Sequence, residues 1–137
     1  MHVIAVDPGT GKCGVAVLTA DAAVVERMVV DRSDVIGVLS RLADVYSPAV
    51  LVTGDRTGSR SFQAELEKSG VARRFEGVHP IDEHMSSLEA RERYFRDNPP
   101  KGLRRFVPRT MQIPPVLYDD YVAVVLAERF LKLRLGR

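Results

Sequence analysis

The chain opens with an apolar run, Val3-Ile4-Ala5-Val6, that ends on Asp7 and turns sharply through Pro8-Gly9-Thr10-Gly11-Lys12. A second apolar run, Cys13-Gly14-Val15-Ala16-Val17-Leu18, follows at once. Two such runs around a glycine turn predict a β-hairpin. Ala23 to Val30 predicts a third strand after the Ala20-Asp21-Ala22 turn, which makes an antiparallel meander. The period then changes. Ser33 is a candidate cap, and Val35, Ile36, Val38, Leu39, Leu42, Ala43 and Tyr46 recur at helical spacing until Pro48 ends the helix. Val50-Leu51-Val52-Thr53-Gly54 is almost continuously apolar, as expected of a strand covered on both faces. Ser61 to Lys68 predicts a helix stopped at Gly70, and Phe75 to Ile81 a fifth strand. Ser86-Ser87-Leu88-Glu89 has capping-box spacing and predicts a helix to about Phe95. A final helix is expected from near Asp119, with Val122, Ala123, Val125, Leu126, Phe130 and Leu133 as one buried stripe.

Three meander strands followed by alternating helices and strands predict an α/β fold: a mixed five-stranded sheet with helices on its faces. At 137 residues, one domain spanning 1–137 is expected. Residues 97–116 stand apart as a Pro/Arg-rich loop before the final helix. They hold Pro99, Pro100, Pro108, Pro114 and Pro115, with Lys101, Arg104, Arg105 and Arg109. A loop of that length in a compact domain is usually functional or disordered.

Charge sharpens the picture. Residues 1–90 hold 9 Lys and Arg against 13 Asp and Glu, while residues 91–137 hold 11 against 5. A basic C-terminal third beside an acidic centre suits a polyanion partner, although a solvated charged surface looks the same in sequence. The first apolar run has no basic segment before it and breaks at Asp7, so no signal peptide is expected. No stretch approaches the roughly 18 apolar residues of a membrane span. With one cysteine, Cys13, neither an internal disulfide nor a thiolate zinc site is expected. A cytoplasmic protein without membrane partners is the simplest fit.

Three acidic clusters lie at element ends: Asp7 after strand one, Asp82-Glu83 after strand five, and Asp119-Asp120 at the start of the last helix. Strands one and four are expected side by side and parallel, so their C-terminal ends share one sheet edge. Carboxylates gathered there repel one another, and hard divalent cations such as Mg²⁺ or Mn²⁺ remove that cost. Two such ions can drive phosphodiester hydrolysis. Each cluster also has a plain reading. Asp7 can simply form the turn before Pro-Gly, Asp119 or Asp120 can cap a helix, and Asp82-Glu83 can be an exposed loop pair. Glu89 is explained by the capping box, and His79 and His84 lack a partner at metal-ligand spacing.

The segment from Val6 to Val17, with Asp7-Pro8-Gly9-Thr10-Gly11, resembles the first hairpin of the YqgF/RuvX family. These are RNase H-like proteins described as Holliday junction resolvase-like and as pre-16S rRNA processing nucleases. Asp82-Glu83-His84-Met85-Ser86-Ser87-Leu88-Glu89-Ala90 is similar to that family's Asp-Glu-Arg-Leu-Thr-Thr-x-Glu-Ala segment, and Asp120-Tyr121-Val122-Ala123 to its Asp-x-x-Ala. The resemblance runs from end to end in order and spacing. It implies an RNase H-like fold, with Asp7, Glu83 and Asp120 as metal-binding catalytic acids and Asp119 as a possible substitute for Asp120. Two features depart from most members: Gly54-Asp55-Arg56-Thr57-Gly58-Ser59-Arg60 stands where they carry Gly-Leu-Pro, and the Pro-Arg insert is long. Both resemble a divergent branch and bear on the substrate more than on the chemistry.

The leading expectation is therefore a Mg²⁺- or Mn²⁺-dependent endonuclease acting on nucleic acid, as monomer or homodimer. Precursor 16S rRNA or a related RNA or structured DNA is the leading substrate, with branched DNA as the alternative. Lys12, Arg56, Ser59, Arg60, Arg104, Arg105 and Arg109 are candidate phosphate contacts, through glycine-turn N–H groups and basic side chains. A nucleic-acid- or ribosome-binding module without turnover is the competing class. A sugar kinase or actin-like ATPase, whose phosphate-binding hairpin also opens on Asp-x-Gly-Thr, would need a second domain.

Overall fold

The computed structural model describes residues 1–55, 59–99, 102, 106 and 117–134. Its strands are β1 (His2–Asp7), β2 (Lys12–Thr19), β3 (Val24–Asp31), β4 (Ala49–Gly54) and β5 (Val78–Ile81). Its helices are α1 (Val35–Tyr46), α2 (Ser59–Ser69), α3 (Ser86–Asp97) and α4 (Asp119–Arg134). The sheet order is β3-β2-β1-β4-β5. β1 pairs antiparallel with β2 and parallel with β4, so the expected mixed five-stranded sheet forms. The Pro/Arg-rich stretch falls mostly outside the described residues, and Asp97 belongs to α3.

Strand alternation divides the core into two layers. Ile4, Val6, Val15, Val17 and Leu51 meet Leu39 and Leu42 of α1 and Phe62 and Leu66 of α2. Val3, Ala5, Ala16, Leu18, Val50 and Val52 meet Ala123, Val124, Leu126, Ala127 and Phe130 of α4 on the opposite face. β1 and β4 are buried along their length, which is why they read as unbroken apolar runs.

Four expectations change. Ser33 lies in a 3-10 turn over Arg32–Asp34, and Asp34 stands at the cap of α1 without a side-chain cap hydrogen bond. β5 is shorter than expected, because Val71–Arg74 form a second 3-10 turn and Phe75 drops into the core. The capping box does not form. Met85, at φ 61°, occupies the cap of α3, while buried Ser86 gives its N–H to the Glu83 carbonyl at 2.9 Å. Glu89 turns instead to Arg129 at 2.7 Å. Finally, α4 buries more than one stripe. Every residue from Tyr121 to Ala127 is buried, because α3 covers the side of α4 that the sheet does not. Leu133, placed in the stripe, is 71% exposed near the end of the helix. No helix among the described residues is long and apolar enough to cross a membrane.

Candidate active site

Asp7 ends the central strand, and its neighbours across the sheet are glycines. Gly14 of β2 is its register partner. Gly54 of β4 follows Thr53, the partner of Val6. Alternation puts all three positions on the face that carries α4. Both glycines are required by close approach. A Cβ on Gly14 would come within 1.8 Å of the Asp119 carbonyl oxygen, and one on Gly54 within 2.3–2.6 Å of the Glu83 carboxylate atoms. The start of α4 thus lies directly over β2, and the Glu83 carboxylate directly over β4. Asp7 stands between them.

Glu83 is 5% exposed and follows the last strand without belonging to it. Its position is set by its backbone. The Glu83 N–H donates to Asp55 Oδ1 at 3.2 Å, and its carbonyl accepts from Ser86. Arg129 of α4 donates to the carbonyls on either side, Asp82 at 2.6 Å and His84 at 2.7 Å. A guanidinium that bridges two carbonyls fixes the loop more tightly than a point charge would.

The electrostatics follow from this crowding. Burial and a hydrogen bond to Glu83 push the Asp7 carboxyl up to about 8, with the Glu83 and Asp119 charges adding to the shift. Asp119 is also raised, by burial and by the adjacent Asp120 charge. Two carboxyl groups in contact in a poorly solvated place cannot both ionise without a compensating charge.

The expectation named Asp120 as the third acid and Asp119 as its substitute. The structure sets Asp119 within electrostatic reach of Asp7 and pairs Asp120 with Arg27. Asp120 Oδ2 faces Arg27 Nε at 3.2 Å, and Oδ1 accepts the Tyr121 N–H at 3.0 Å. Lys12 pairs with Asp31 at the far end of the hairpin turn. Ser59 and Arg60 line a cavity of about 470 Å³ with Gly54, Asp55 and Gln63. Arg56, Arg104, Arg105 and Arg109 lie outside the described residues.

Sequence reasoning missed Asp55, Arg129 and Arg27, all of which hold acids in place. Asp55 carried a signal, as a second acid one residue past an apolar strand. Arg129 and Arg27 carried none, because a charged residue on a helix or an outer strand reads as solvated.

Among the described residues no three His, Cys, Asp or Glu side chains form a ready metal-ligand group. The donor chemistry nonetheless fits a hard divalent cation. Asp7 and Glu83 supply carboxylate oxygens in contact, with a third carboxylate, Asp119, acting on Asp7 through space. Mg²⁺ is commonly bound by one or two carboxylates, with water and substrate phosphates completing its shell.

The fold is RNase H-like. Among solved structures, the chain is similar to the RuvC structure of Thermus thermophilus, with a TM-score of 0.53 and 14% identity, covering 99% of this chain and 97% of that one. At that identity the likeness concerns the fold. No protein-family model matches the chain, and no curated protein sequence matches it.

Proposed function

We propose that residues 1–137 form one nuclease domain that hydrolyses phosphodiester bonds in nucleic acid with a bound Mg²⁺ or Mn²⁺. The observation that carries this reading is the Asp7–Glu83 contact over a floor cleared by Gly14 and Gly54. A buried acid pair is costly, and nothing in the packing of the core calls for it. Asp7, Glu83 and Asp119 are the residues that would hold the cation, which when bound activates water and stabilises the leaving oxygen.

The rest of the work belongs to the chain. Asp55, Ser86 and Arg129 keep Glu83 against Gly54. Gly14 lets the start of α4 bring Asp119 over the sheet edge. Arg60 and Ser59 border the adjoining cavity, where a phosphate of the bound strand can be met by a cation and a hydroxyl.

The sequence resemblance to YqgF/RuvX favours precursor 16S rRNA or a related structured RNA as substrate. The likeness to a RuvC structure favours a second reading, Holliday junction resolution on branched DNA. Cutting a two-fold symmetric junction on both sides would require a homodimer. Labelled precursor rRNA, single-stranded RNA, duplex DNA and four-way junction, incubated side by side with Mg²⁺ and with Mn²⁺, distinguish the two. Preferential cleavage of precursor rRNA supports the first reading. Paired symmetric cuts in the junction replace it with the second.

A further inference from the structure

Two acids stand side by side at the start of α4, and Asp119 is the one whose charge acts on Asp7. Arg27 is placed to decide which. It lies on β3, the outer strand, as the register partner of Ala16, and therefore on the face that carries α4. Its Nε lies 3.2 Å from Asp120 Oδ2, and its Nη2 donates to the Tyr121 hydroxyl at 2.8 Å. The guanidinium also sits 4.3 Å from the centre of the Tyr121 ring.

Tyr121 is itself fixed. It is 4% exposed, its hydroxyl donates to Asp97 at the end of α3 at 3.1 Å, and Tyr94 packs edge-on against its ring. Arg27 is thus braced by a buried aromatic while it holds Asp120. Both Asp120 oxygens are engaged, one by Arg27 and one by the Tyr121 N–H. The neighbouring Asp119, whose backbone rests over Gly14, is left to act on Asp7.

We propose that Arg27 is a positioning residue that commits Asp120 away from the site and so makes Asp119 the acid that joins Asp7 and Glu83. The inference rests on the metal-dependent reading above, because it concerns which carboxylates meet the cation. A lone Asp would need no such device. The doubled acid does, since adjacent helical residues point about 100° apart and a first turn rewound by that angle would present Asp120 in place of Asp119. A guanidinium that pairs with Asp120, bonds the Tyr121 hydroxyl and lies over its ring holds one geometry where a flexible ammonium would not.

The test measures Mn²⁺ affinity by isothermal titration and, separately, cleavage. Asp119→Asn should weaken Mn²⁺ binding at least tenfold, and Asp120→Asn less than threefold. Arg27→Met, which keeps the length and loses the charge, should weaken binding about tenfold. The double variant Arg27→Met with Asp120→Asn should recover to within threefold of wild type, because the competing acid is gone. A merely structural Arg27 would give no such recovery. Arg27→Lys, which preserves the charge, controls for folding and should fall between Arg27→Met and wild type.

Wild-type affinity in Arg27→Met would overturn the proposal. So would a double variant as weak as Arg27→Met, or an Asp120→Asn variant as weak as Asp119→Asn. Asp7-dependent Mn²⁺ binding with the predicted Arg27 pattern but no cleavage of any substrate would sink the nuclease reading and leave Arg27 standing. Absence of Mn²⁺ binding by the wild type would overturn both.

Discussion

At the residue scale, Asp7 bears the electrostatic cost of the site. Its carboxyl is raised from an ordinary 3.8 to about 8, so between those values the folded chain holds a proton that the unfolded chain has released. That proton's contribution to stability is complete below the ordinary carboxylate pKa and is lost as pH rises through the folded value. Metal-free protein should therefore melt at progressively lower temperature from about pH 4 to about pH 8. Asp7→Asn removes the titrating group while keeping its shape, so its melting temperature should vary less over that window and exceed the wild type's at the alkaline end. Parallel melting curves for the two proteins across the range would show that Asp7 is not the source of the dependence. Asp7 could be singled out in the sequence because it closes an apolar run, and Glu83 because the segment from Asp82 to Ala90 resembles a known one. The choice between Asp119 and Asp120 was not legible, because the partner that engages Asp120, Arg27, lies far away in sequence on β3.

At the element scale, the two glycines beside Asp7 do different jobs and should fail differently. Gly14 faces main chain: an added Cβ meets the Asp119 carbonyl, which can move only if α4 moves. Gly14→Ala should therefore destabilise the fold by about 1–3 kcal/mol or more, as overpacking does. Gly54 faces the end of a side chain, so Gly54→Ala displaces the Glu83 carboxylate with little effect on folding. Its effect should appear in cleavage and metal affinity, with the melting temperature nearly unchanged. Urea denaturation and cleavage measured on both variants check the contrast, and equal stability losses would refute it. The elements themselves were readable from apolar runs, period and turn residues, apart from the ends. α3 misled because the Ser86 N–H goes to the Glu83 carbonyl of the preceding turn and Glu89 turns to Arg129 of α4, so neither half of the capping box forms. The stripe on α4 was too narrow because α3 buries a second side of the helix, which no single-helix pattern reveals.

At the scale of the whole molecule, the proposed function joins the acidic sheet edge, as the seat of a cation, to the basic last third of the chain, whose charge suits a polyanion. The mixed five-stranded sheet, with β1 beside and parallel to β4, could be anticipated because three meander strands followed by alternation leave few arrangements. The positions of Arg104, Arg105 and Arg109 lie outside the described residues, so their role rests on charge. If they neutralise phosphates, changing all three to Ala should weaken binding of every substrate. It should also flatten the salt dependence of binding, by about 0.7–0.9 in slope for each phosphate left without its arginine. A lower melting temperature with an unchanged slope would instead make them struts of the fold.

The central claim is that Asp7 and Glu83 form the working centre of a metal-dependent nuclease. Its most direct test is cleavage of the preferred substrate by wild type and Asp7→Asn, both shown to be folded, with Mg²⁺ or Mn²⁺ present and with the metal chelated. Cleavage by wild type that depends on metal and falls at least a thousandfold in Asp7→Asn is the expected result, since the substitution removes a ligand charge on which the chemistry depends. Comparable cleavage by the two proteins, or cleavage that survives chelation, would contradict the account.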